Sequence, residues 1–122
     1  MTSPPKRYFY EWYRFVQACK KVPPEVFVWR DALRDAREQL KIFKTEADIR
    51  RYIADGAISD RELANSTKFT KWPKKSTPPM VDSYRFSINR IVAYIAIYVD
   101  PEGFKWNIKS LKMSDTPFKS KV

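Results

Sequence analysis

The chain contains no histidine, one cysteine and two glycines among its 122 residues. Without histidine, acid–base chemistry tuned to neutral pH and every histidine-dependent triad are excluded. One cysteine and no histidine leave no donor set for a zinc site. Cys19 has no partner for an internal disulfide, so this is not a secreted disulfide scaffold. The two glycines, Gly56 and Gly103, stand too far apart for a phosphate-cradling glycine-rich loop. Any enzyme built here would rest on carboxylates, Lys, Arg or Tyr alone, and we expect a non-catalytic protein. Long apolar runs are also absent. The longest, Ile91 to Val99, is far short of the ~20 residues a membrane-spanning helix needs. The first residues, Met1 to Arg7, carry no apolar stretch of the secretory-signal kind, so no signal is expected there.

What the chain has in excess is positive charge. Lys and Arg number 24 against 14 Asp and Glu, a net charge of +10. Such a balance says little about fold, but it calls for an acidic partner: a nucleic acid, an anionic membrane surface or an acidic protein. Nine prolines against two glycines favour stiff extended connections, and aromatics make up 16% of the residues.

Hydrophobic spacing predicts helices in the first half. Ser3 before Pro4-Pro5 suits a helix start, and Phe9, Trp12, Val16 and Cys19 recur three and four apart as far as Lys21. Val22-Pro23-Pro24 ends that segment. Val26, Trp29, Leu33, Ala36, Leu40 and Phe43 then form an unbroken three-four seam, which predicts a second helix able to pack on another. One residue round, Arg30, Arg34, Arg37, Lys41 and Lys44 form a basic stripe, partly matched by Asp31, Asp35 and Glu38. Thr45-Glu46-Ala47-Asp48 resembles a capping box opening a third helix, with Gly56 as its C-terminal cap. Ser59 to Glu62 repeats the capping signature and predicts a further turn of helix.

The second half changes character. Residues 65–81 lack a period and are rich in Pro and Lys, which reads as an extended strap. Phe104, Trp106 and Ile108 alternate with Lys105, Asn107 and Lys109 after a Pro-Gly turn, suggesting a hairpin of 91–99 with 104–109. A helix over 83–99 is the alternative, because Tyr84, Ile88, Ile91, Ile95 and Tyr98 also step four, three, four, three. The expected class is thus mainly α: a helical bundle over 1–65, then a strap and a C-terminal hairpin or helix over 66–122.

Trp12-Tyr13-Arg14 on the first helix, followed by Leu33-Arg34-Asp35-Ala36-Arg37 on a basic second one, resembles the LYR-motif family of small mitochondrial three-helix proteins. Trp12 stands where that family has Leu, and Arg37 where it has Phe. Lys20 to Pro23 and Lys68 to Trp72 are similar to the LYR accessory subunits of respiratory complex I. The resemblance implies a three-helix bundle in a non-catalytic adaptor on the matrix side, peripheral to the inner membrane. It also implies docking of an acidic acyl carrier protein, which brings its own acylated 4′-phosphopantetheine. On that reading Tyr13, Arg14, Arg30, Arg34, Arg37 and Lys41 meet the carrier and its phosphopantetheine. Trp12, Val16, Trp29, Leu33 and Leu40 line the acyl chain, or else form plain core.

A second reading comes from the residues alone. The basic excess, the Lys68–Lys75 strap and the aromatics Trp72, Tyr98, Phe104 and Trp106 suit an RNA-contacting subunit, for instance of a mitochondrial ribosome. A peripheral protein on an acidic membrane is a third.

Overall fold

A computed structural model describes residues 7–118. The fold is mixed α/β, with about 26% helix and 32% strand, which corrects the mainly-α, three-helix-bundle expectation. Helix α1 spans Trp12–Lys20 and is followed by a short strand, β1, Val26–Val28. Helix α2, Arg30–Asp35, runs straight into a π-helical turn, Ala36–Leu40; α3 spans Glu46–Ala54. Four strands complete the chain: β2 Glu62–Lys68, β3 Met80–Ile88, β4 Ile91–Val99 and β5 Trp106–Met113. They form one sheet in the order β1-β5-β4-β3-β2. Strands β2 to β5 form an antiparallel meander, and β1 adds in parallel to β5.

The seam expected to pack helix on helix is broken at its first turn. Pro23-Pro24 cannot continue a helix, and Val26-Phe27-Val28 is rich in the residue types that fit a pleated strand. Val26, Phe27 and Val28 pair with Trp106, Asn107 and Ile108 instead. What remains of the second helix lays Ala32, Ala36 and Leu40 against β5. Lys41, in the left-handed region at φ 62°, ends it, its N–H donating to the Ala36 carbonyl. The start of α3 is as the sequence suggests. Thr45 Oγ1 accepts from Asp48 N–H at 3.2 Å, and Asp48 Oδ2 accepts from Thr45 N–H at 3.1 Å. Backbone N–H groups of Lys44 and Thr45 hold the Asp48 carboxyl below its ordinary range. The capping signature at Ser59–Glu62 opens strand β2 rather than a helix.

One face of the sheet carries the core. Tyr84, Phe86 and Ile88 of β3, Ala93, Ile95 and Ile97 of β4, and Ile108 and Leu111 of β5 meet Phe15, Ala18, Ile49 and Ile53 of the helices. Trp12, Val16 and Leu33 pack half-buried at the margin of this core. The segment before α1 is tied to the sheet by Asp82, fully buried, which accepts from Phe9 N–H, Tyr10 N–H and the Ser66 hydroxyl.

The opposite face is only partly covered. The strap, residues 69–79, folds over one end, where Phe69, Trp72, Tyr98 and Trp29 pack edge to face. Lys74 clasps it to the β4–β5 turn through Asp100 at 3.2 Å and Glu102 at 3.6 Å. The sheet takes strands from both sides of residue 65.

Candidate functional site

The sequence-expected site residues do not converge. Tyr13 and Arg14 lie exposed on α1 beside Phe9, Gln17 and Trp106, around an open cleft of about 690 Å³. Arg14 is engaged by Glu11 at 3.5 Å. Arg30, Arg34 and Arg37 do share a depression on α2, with Leu33 and Glu38. Its charge is largely balanced, because Arg34 pairs with Asp31 at 3.2 Å and Asp35 at 3.3 Å. Lys41 serves as the helix terminator.

The proposed acyl-lining set is dispersed as well. Trp12 sits edge-on to Phe15 and Tyr84, with the Arg61 guanidinium over its ring at 4.8 Å. Val16 and Leu33 edge the core, and Leu40 is buried in it. Trp29 belongs with the strap aromatics, its indole N–H donating to Tyr98 Oη and Asn107 Oδ1, each at 3.2 Å. A tunnel between three helices needs the bundle, and the helices here lie on a sheet.

Residues of the second half assemble a different site on the open sheet face. Side chains alternate across a sheet, so with Tyr84 and Phe86 in the core, Val81, Ser83 and Arg85 point the other way. In register beside them are Ala96 and Tyr94 on β4 and Ser110 and Lys112 on β5. A groove of about 190 Å³ runs across these strands below the strap. Val81, Phe69 and Ala96 are its apolar lining. Asn65, Thr67, Thr70, Ser83, Ser110 and Tyr94 line it with hydroxyl and amide groups. Its charged residues are Lys68 and Lys109, and no carboxylate lines it.

Each part of this arrangement has a local cause. The ladder shifts register between Ala96 and Ile97, pairing Ala96 with Ser110 and Ile97 with Ile108, so Lys109 is the extra residue of a bulge. Lys109 Nζ lies 5.1 Å from the Phe69 ring centroid and 6.0 Å from that of Trp29, close enough for cation–π attraction to orient it. The Tyr94 hydroxyl donates to Ser83 Oγ at 2.8 Å, which fixes its ring beside the groove. Lys112 Nζ stands 5.9 Å from that ring. At the sheet margin, Phe27 faces away from the buried Val26 and Val28. Its ring is 55% exposed, on the face that carries its register neighbour Asn107. Chemically, the groove can hold an anion through the Lys109 ammonium and several neutral donors, with Lys68 bordering it from the edge strand β2; the exposed Phe27 ring lies further along the same sheet face on β1.

Sequence reading singled out the Lys68–Lys75 strap, whose first residues border this site, and placed Lys109 on the polar side of a strand, but missed Ser83, Arg85 and Tyr94. The missed signal is the two-residue period of Tyr84, Phe86 and Ile88, which a four-three helical period through the same residues masks. Trp72 and Tyr98 serve packing, and Trp106 joins the core margin, whereas Phe104 is 78% exposed. Among the described residues no group of His, Cys, Asp or Glu could hold a metal ion, and no helix is long and apolar enough to cross a membrane. No protein-family model, curated protein or solved structure matches this chain.

Proposed function

We propose that this protein is a non-catalytic RNA-contacting module that holds a single-stranded backbone across its open sheet face. The observation that carries this reading is the groove lined by Lys68 and Lys109 with no carboxylate. In a chain with 14 Asp and Glu, an acid-free groove is where polyanion affinity concentrates. Phosphate oxygens take the Lys109 ammonium, the Ser and Thr hydroxyls suit ribose 2′-OH groups, and the Phe27 ring on the same sheet face offers a stacking surface for an unpaired base.

The adaptor reading finds less support in the charge distribution. An acidic carrier protein docking on α2 would meet Arg30 and Arg37, which form no ion pair among the described residues. It would also meet Asp31, Asp35 and Glu38. The open face presents no such repulsion along its groove.

Fluorescence anisotropy with a labelled single-stranded oligouridylate tests the proposal. Lys68→Glu with Lys109→Glu should weaken binding steeply, while Arg30→Glu with Arg37→Glu should weaken it far less. If the α2 pair dominates and the groove pair is silent, the RNA does not run across the sheet.

A further inference from the structure

Among the described residues, Arg85 is the buried charge with the poorest local explanation. It lies on β3 and is only 8% exposed. Register places it between Glu62 of β2 and Tyr94 of β4, and Tyr94 in turn faces Lys112 of β5. A guanidinium carries five donors. Nε of Arg85 donates to Thr116 Oγ1 at 2.9 Å, but Nη1 is buried without a hydrogen-bond partner. Glu62, 3.9 Å from Nη1, is the carboxylate that pairs with it, too distant for a hydrogen bond. Burying a cation with so little compensation opposes folding, and such a group is a natural seat for an anion.

The tail that follows β5 lies over this side chain. Ser114 N–H donates to the Val92 carbonyl at 2.8 Å, which extends the β4–β5 ladder by one pair before the chain turns over the sheet. Ser114 Oγ donates to the Thr116 carbonyl at 2.6 Å and accepts from Thr116 N–H at 3.2 Å, a tight turn that sets the Thr116 hydroxyl on Arg85. That hydroxyl is a neutral, single acceptor where a phosphate would offer several charged ones. Arginine's planar fork binds phosphate through two parallel N–H groups, so an anion here would engage Nε and a second nitrogen together. Tyr94 belongs both to this row and to the groove, so the two sites are contiguous.

We infer that Arg85, Tyr94 and Lys112 form a second RNA-phosphate subsite, and that residues 114–118 cover it and swing aside when the backbone enters. The inference rests on the open-face RNA reading. By covering the subsite, the tail lowers the affinity of the free protein, since only the uncovered fraction is competent to bind. RNA long enough to fill both the groove and the subsite displaces it.

The experiment uses the full chain and the labelled oligouridylate. Ser114→Ala with Thr116→Val removes the turn and the hydroxyl that hold the cover closed, and should raise affinity by about tenfold if the cover is shut some nine-tenths of the time. Adding Arg85→Gln to that variant should abolish the gain. In the wild-type protein, which needs no altered core, the Arg85 Nε–H resonance should shift when RNA saturates. If the loosened variant binds as the wild type does and the Arg85 resonance stays still, while Lys68 and Lys109 reversals still weaken binding, the subsite is refuted and the groove stands. If neither protein binds the oligonucleotide at all, both readings fall.

Discussion

Replacing Asp82 by Ala should destabilise the protein by about 3–4 kcal/mol. Its carboxylate is fully buried and accepts from Phe9 N–H at 2.8 Å, Tyr10 N–H at 2.8 Å and Ser66 Oγ at 2.6 Å. Hydrogen bonds to a charged group are each worth roughly 1.5–3 kcal/mol, so three would sum to roughly 5–9 kcal/mol if all donors were stranded. They are not, because Phe9 is 61% exposed and its N–H regains water once the segment lifts. The lower figure is still a large part of the ~5–15 kcal/mol that holds a domain together. In urea it should lower the unfolding midpoint by roughly 2 M with little change in slope. Asp82→Asn, which keeps the shape but turns an amide N–H₂ toward donors, should fall between Ala and wild type. Ser66→Ala should cost only about 1 kcal/mol. An Asp82→Ala protein within about 1 kcal/mol of wild type would refute the claim that this carboxylate fastens the amino-terminal segment to the sheet.

Three further outcomes follow from other parts of the structure. The β3–β4 hairpin turns through Asn89 and Arg90, both at positive φ (48° and 65°), so Arg90→Gly should stabilise by about 0.5–1 kcal/mol, read as a raised thermal midpoint. Burial pushes the Cys19 thiol from 9.0 and the Tyr84 phenol from 10.0 up to about 12 each, so the unfolded chain releases those protons first. Stability should therefore fall from about pH 9 upward and level off above about pH 12, and Cys19→Ala should delay the onset in urea titrations. Lys74→Met breaks the clasp to Asp100 and Glu102, and should speed hydrogen exchange in residues 70–77 while changing global stability by under about 1 kcal/mol.

The sequence disclosed local chemistry better than architecture. The Thr45–Asp48 capping box and the end of α1 before Pro23 are set by residues within a few positions of one another, and they could be read directly, whereas the strap expected over 65–81 has both ends, 65–68 and 80–81, in strands. The second helix misled because its three-four seam is satisfied by two different partners. Ala32, Ala36 and Leu40 pack on β5 as a helical face, while Val26 and Val28 belong to a strand whose partner lies some eighty residues away. Nothing within Val26–Val28 announces Trp106–Ile108. Strand β3 was hidden for a related reason: Asp82 breaks its alternation because it is buried to hold Phe9 and Tyr10, not to face solvent. The lysines of the groove were visible as charge. Their convergence was not, because it depends on the β4–β5 register shift beside Ala96 and on the strap returning over the sheet.

Photo-crosslinking reads out whether RNA lies across the open sheet face. The full chain, bound to a single-stranded oligouridylate containing 4-thiouridine, is irradiated, digested and analysed by mass spectrometry. We predict adducts on Phe27, Tyr94 and the peptides spanning residues 65–70 and 109–112. Lys109→Met, which retains the methylene stem over the Phe69 ring, should lower the slope of log affinity against log salt by roughly 0.7, the value for one lost single-strand phosphate contact. Adducts confined to Tyr13 and the exposed face of α2, with an unchanged salt slope, would contradict the account.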